Sequence, residues 1–181
     1  MTPQMAVLLA AYNRTMNERV FRAARDVSPA DLRADKGAFF GSILGTLNHI
    51  AVADTIWLHR FAQYPGGFSA LAALSAFERP TSLRQTVSSE LEGLGDYRRR
   101  VDDIIERWVD ELTPVHLAST LAYANMAGVT ANKPLGAVLQ HFFNHQTHHR
   151  GQVSTLLFQA GVDVGVTDLI TFIPDVPPSG D

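Results

Sequence analysis

The sequence predicts an all-α protein, a four-helix bundle with room for a short β-hairpin between its third and fourth helices. Three observations carry that reading. Four long stretches repeat their apolar residues at helical spacing, Ser, Pro and Gly signals separate them, and 181 residues at 46% apolar content are enough for one core. Residues 1–181 are therefore expected to form a single domain, with 162–181 as an extended C-terminal tail lying over the bundle.

The first helix is expected from residue 1 to about 26, with Leu8, Leu9, Tyr12, Met16, Val20 and Phe21 on one face. Ser28-Pro29-Ala30-Asp31 reads as the start of one short helical turn, with Ser28 as N-cap and Pro29 at N1. A long second helix is expected from Ser42 to Gln63, ended by Pro65-Gly66-Gly67. It is apolar on every side: Ile43, Leu47, Ile50, Leu58 and Phe61 face one way, Val52, Ala53 and Ile56 another. Such a helix is ordinarily buried all round, which in a chain of this size implies a partner subunit besides the bundle. Residues 68–80 give no firm signal.

Thr81-Ser82 would cap a third long helix reaching Glu111, with Leu83, Val87, Leu91, Leu94, Val101, Ile104, Ile105 and Trp108 as its stripe. Gly93 and Gly95 weaken its middle by about 1 kcal/mol each. Within Pro114 to Lys133, residues 119–123 and 128–130 suit a hairpin turning near Asn125 to Gly128. Asn132 would cap the fourth helix, with Pro134 near N1 and Gly161 as its stop.

Composition excludes several functions. A net charge of −3 gives no electrostatic case for nucleic acid or an anionic membrane. Arg98-Arg99-Arg100, followed by Asp102, Asp103 and Glu106, reads as a solvated helix face. With no cysteine, the chain has neither disulfides, nor a thiol nucleophile, nor thiolate metal ligands. The apolar run Met5 to Ala11 lacks a basic leader and is too short to span a bilayer, so a cytoplasmic location is expected.

The most informative stretch lies in the fourth helix, where His141, His145, His148 and His149 give four of the seven histidines within nine residues. His145 and His149 are spaced i, i+4 and share one helix face. His149 falls inside the apolar stripe formed by Leu135, Val138, Leu139, Phe142, Val153, Leu156 and Leu157, and His145 falls on its border. Core-facing imidazoles need partners for both ring nitrogens. A shared metal ion would supply them, and so would buried hydrogen bonds. Any third ligand must come from elsewhere, with His49, His59, His116 and Asp54 as candidates. Spacing alone does not choose among them.

Leu47-Asn48-His49-Ile50 in the second helix, together with the late run His145-Gln146-Thr147-His148-His149-Arg150-Gly151-Gln152, resembles the DinB family, marked by a mid-helix His and H-x3-H-R-G-Q. Tyr12-Asn13-Arg14 and Ala53-Asp54-Thr55-Ile56-Trp57-Leu58 share that likeness, which covers nearly the whole chain. The resemblance implies His49, His145 and His149 as a three-histidine metal site. It also implies an up-down-down-up bundle, often a homodimer, whose crossover would use residues 64–81. Characterised relatives include thiol-dependent transferases and isomerases acting on small molecules through low-molecular-weight thiols, usually with zinc; nickel and iron are the alternative ions here.

A neutral three-histidine set leaves a divalent ion with its full charge and open positions, which suits activation of a small-molecule thiol for transfer. Metal-assisted hydrolysis is the competing class, weakened because Gln146 stands where H-E-x-x-H needs Glu. No Glu-x-x-His occurs, which argues against a ferritin-like di-iron site. A structural metal, or a pocket that only binds ligand, is the non-enzymatic alternative. His141 and His148 are expected as pocket lining or solvated edge, Asp54 as an exposed carboxylate or a histidine-orienting one, and Gln152 as a pocket donor. Gly151 would let another helix approach, and Trp57 and Trp108 would pack in a core or interface.

Overall fold

A computed structural model describes residues 1–177 and is mainly helical. Its helices are α1 (Pro3–Ala24), α2 (Pro29–Arg33), α3 (Ile43–Phe61), α4 (Leu91–Asp110), α5 (Pro114–Ala118) and α6 (Leu135–Gln159). An antiparallel hairpin of β1 (Thr120–Ala124) and β2 (Thr130–Pro134) joins α5 to α6, as the sequence predicts. Two 3₁₀ helices, Ser69–Ala76 and Leu169–Phe172, complete the set.

Capping follows the expected chemistry at most starts. The Thr2, Ser28 and Ser42 hydroxyls accept from Met5, Asp31 and Gly45 N–H at 3.2, 3.1 and 2.9 Å. At the end of α6, Gly161 takes φ 84°, and the Val162 N–H reaches back to the Leu157 carbonyl at 2.9 Å, a Schellman stop.

Inter-helix contacts fix the order of the bundle. α1 runs antiparallel to α4, because Asn13 meets Asp102 while Arg25 meets Glu92. α3 runs alongside α4 in the same direction, with Asp54 on Arg98 and Phe61 on Trp108. α3 opposes α6, since His49 meets His149 while Phe61 meets Phe142. α1 and α6 run the same way, with Pro3 and Gln4 beside Gly136 and Ala137 while Asn17 meets Arg150. The order is up-down-down-up.

The parallel α3–α4 pair needs a crossover the length of the bundle. Residues 62–90 supply it, pressing Phe68, Leu71, Leu74 and Phe77 into the core around the first 3₁₀ helix. The third long helix therefore starts at Leu91, not at Thr81-Ser82. Residues 81–90 are drawn away from helix because their backbone binds α3: the Asn48 side-chain oxygen Oδ1 accepts from the Val87 and Ser88 N–H at 2.7 and 3.2 Å. The fourth helix also starts later than expected. Asn132 lies in β2 opposite Ala122, and Pro134 stands just outside the first turn, where the Leu135 N–H is taken by the Ser119 carbonyl at 2.8 Å.

α3 is buried along nearly its whole length by α2, α4, α6, the crossover and the hairpin, so the burial its pattern demands is met within one chain. The tail crosses α1, with the Tyr12 hydroxyl donating to the Thr167 carbonyl at 2.7 Å and Tyr12 edge-on to Phe172. Pro178 and the last three residues lie outside the described part of that tail.

Two apolar cores lie at opposite ends of the bundle. Phe61, Trp108 and Phe142 centre one, and Phe21, Leu47, Leu94 and Leu157 belong to the other. Between them runs a buried polar layer. On α1, the Asn13 and Asn17 amides donate to Asp102 of α4, and their carbonyl oxygens accept from Arg150 of α6. Arg98 of α4 ties Asp102 to Asp54 of α3. Arg98 and Asp102 are thus buried, contrary to the solvated face expected of that run: in α4 they point inward, while Arg99 and Arg100 point outward. Burial raises the Asp54 carboxyl to about 7, and the Arg98 guanidinium opposes that rise.

Candidate metal centre

His49 projects from the middle of α3 toward α6, where His145 and His149 project one turn apart. One nitrogen from each of the three rings lies within 4.8 Å of the others, an arrangement able to hold a metal ion. His49 and His149 are buried and His145 is half-buried.

The partners of the outer nitrogens orient the inner ones. The Leu83 carbonyl lies 3.0 Å from His49 Nδ1 and can only accept, so Nδ1 carries the hydrogen and Nε2 presents a lone pair. The Gln152 side-chain oxygen, 2.8 Å from His149 Nδ1, does the same for His149. Gln152 also reaches His148 Nε2 at 3.1 Å, so it serves mainly as a brace for His149. His49 Nε2 and His145 Nε2 face each other at 3.3 Å, and His145 Nδ1 is buried without a protein partner. Lone pairs converging in this way suit a cation placed among them.

Burial holds all three rings neutral. It lowers His49 to about 4, with a smaller contribution from His149. Burial, then His149 and His49, bring His145 to about 3. Burial lowers His149 as well, against its bond to Gln152. Neutral imidazole is the form that binds metals.

A loop roofs the cluster. Phe40 stacks on His49 at 3.7 Å between centroids and meets His149 edge-on. The loop passes so close to α3 that a Cβ on Gly45 would lie 2.2 Å from the Phe40 carbonyl oxygen, so only glycine fits there. Arg84 lies over Phe39 and Phe40 and donates to the Phe39 carbonyl at 3.1 Å, clamping roof to crossover. Sequence reasoning missed the roles of Phe40 and Leu83, which carry no motif of their own, and of Asn48, whose signal was its place as a polar residue beside His49 in an apolar helix.

The other candidate ligands stand apart. Asp54 is fully buried on Arg98, so it is neither an exposed carboxylate nor part of the histidine cluster. His59 is half-buried, and burial together with Arg79 lowers its pKa. His116 is the third residue of α5; its ring closes a capping box with Thr113 and packs on Tyr64 and Phe68. His141 and His148 are exposed at either end of the cluster. Gly151 is exposed, with open space where a Cβ would project. Trp108 is core, whereas Trp57 is half-buried beside His141.

The class defined by this geometry is an up-down-down-up helical bundle with a histidine cluster between its second and fourth long helices. The DinB family model matches residues 1–175, and the chain belongs to that family. It is 27% identical over 164 residues to Protein DinB of Bacillus subtilis (strain 168), covering 90% of each chain. No solved structure gives a significant match. No helix among the described residues is long and apolar enough to cross a membrane.

Proposed function

We propose that His49, His145 and His149 bind one divalent metal ion, zinc before nickel or iron, and that the site activates a small-molecule thiol for transfer to an electrophile. The observation that carries the metal reading is that one nitrogen from each of the His49, His145 and His149 rings lies within 4.8 Å of the others, with His49 Nδ1 and His149 Nδ1 already hydrogen-bonded. Among the described residues no carboxylate joins the three, so the ligand set is neutral and incomplete for four-coordinate zinc. A zinc ion there would supply a Lewis acid that favours thiolate or hydroxide at neutral pH.

The chain's own residues do the rest. Leu83 and Gln152 hold two rings in the ligating tautomer, while Phe40 covers His49 and restricts water. In the transfer, the thiol sulfur bonds to the electrophilic carbon, its proton leaves to water, and the leaving group departs with the electrons of the bond that breaks. The absence of cysteine makes an external thiol the only sulfur nucleophile.

Metal-loaded protein should turn over at least one thiol–electrophile pair from a panel of bacterial low-molecular-weight thiols and alkyl acceptors that carry a leaving group. His145→Ala should abolish that turnover. Turnover of esters or amides alone would favour hydrolysis, and metal uptake without any turnover would favour a binding or structural role. All three donors come from one chain, so a homodimer, the expected assembly, is not needed to complete the site.

A further inference from the structure

Next to the histidine cluster, α3, the hairpin and α6 enclose a cleft of about 450 Å3, a size typical of small-molecule sites. Trp57 and Tyr123 form an aromatic wall, with ring centroids 5.2 Å apart, and Val138 lies on the α6 side. His141 stands where the cleft meets the cluster: its ring is 5.4 Å from Trp57 and 6.0 Å from His145.

The charge in this region has one sign. No carboxylate lines the cleft, and Lys133 at its hairpin end makes no ion pair among the described residues. The Arg60 guanidinium lies over Trp57 and Tyr123, 4.5 and 5.2 Å from their centroids, likewise without an ion pair. Here its charge rests against the aromatic wall. Lys133 lies in β2, and His141 stands six residues past Leu135, the first residue of α6, about 9 Å along that helix.

We infer that this cleft binds the electrophilic substrate, and that the substrate is a small carboxylate with a flat apolar body. The carboxylate meets Lys133, the body lies along Trp57, Tyr123 and Val138, and the reacting end reaches His141 beside the three-histidine site. The inference rests on the proposal that this site is catalytic, so its test reads binding and metal separately.

The probes are 2-naphthoate and its uncharged amide, 2-naphthamide, titrated calorimetrically into zinc-loaded full-length protein. Saturable binding of 2-naphthoate is expected, with the amide about fivefold weaker, the size of one solvent-facing charge contact. Lys133→Gln should erase that preference. Ala137→Trp, which fills the cleft from an exposed position on α6, should abolish binding with an unchanged circular dichroism spectrum. In His49→Ala, loss of zinc with binding retained would support a cleft separate from the ion.

Binding that vanishes with the zinc would put the carboxylate on the ion and overturn the assignment. Equal affinity for acid and amide would overturn it too, as would no saturable binding at millimolar probe or binding undiminished in Ala137→Trp. Zinc uptake without naphthoate binding refutes the cleft alone. Naphthoate binding that depends on Lys133, in a protein that takes up no metal, leaves the cleft standing and refutes the metal reading.

Discussion

His145 shows how burial sets the chemistry of a side chain. Its ring is held far below the ordinary histidine pKa, as is His49, and His149 is lowered too, because protonation would place charge in a poorly hydrated cluster. The sign of the resulting pH dependence follows. In the metal-free protein the unfolded rings take up protons below about 6.5 while the folded rings stay neutral until about 4 and 3 for His49 and His145. Their contribution to stability is complete above pH 6.5 and is lost as pH falls through that window. Asp54 acts in the opposite direction, because its raised pKa adds stability that fades as pH climbs toward 7. The difference between wild type and His145→Gln isolates the histidine effect: urea midpoints of metal-free wild type should fall more steeply from pH 7 to pH 5 than those of the variant. Parallel slopes would mean that His145 titrates normally.

At the scale of elements, the crossover does more than connect parallel helices. Asn48 holds residues 87 and 88 through its side-chain oxygen and returns its amide to the Ser88 carbonyl at 3.0 Å, which sets the strand of backbone whose Leu83 carbonyl holds His49. Asn48→Ala should weaken zinc affinity about tenfold, the usual penalty for losing support behind a ligand. Unchanged affinity in a zinc competition titration would show that Leu83 is held by other contacts. α1, α3, α4 and α6 were legible because periodicity and caps are local, and the i, i+4 pair was legible for the same reason, whereas the up-down-down-up order came from the family resemblance. The start of α4 was not: Leu83 and Val87 continue a helical stripe, but Asn48, distant in sequence, claims the backbone of residues 87 and 88. Nor was the burial of Arg98, since a charged run reads as solvated until another helix supplies its partner, here Asp54. The choice of His49 over His59, His116 and Asp54 came from the family resemblance, because nothing in an apolar helix ranks its faces.

At the scale of the molecule, a polar layer divides two apolar cores and fixes the mutual register of four helices. Asp102 is its hub, bonded to Asn13, Asn17 and Arg98. Asp102→Ala leaves Arg98 and two amides short of an acceptor in the interior and should cost about 3 kcal/mol in urea unfolding. A loss near zero would mean that water replaces the carboxylate. The histidine cluster adds a second tie, joining α3 to α6 beside that layer, so a bound ion should link folding to metal binding. The most direct measurement is zinc, nickel and iron per chain by elemental analysis of untagged protein, wild type beside His49→Ala, His145→Ala and His149→Ala. About one divalent ion per chain in wild type, lost from each variant while all four proteins keep their helical spectrum, is the expected result. A folded wild type that takes up none of these ions when they are offered would contradict the account and leave the three histidines as the lining of a pocket.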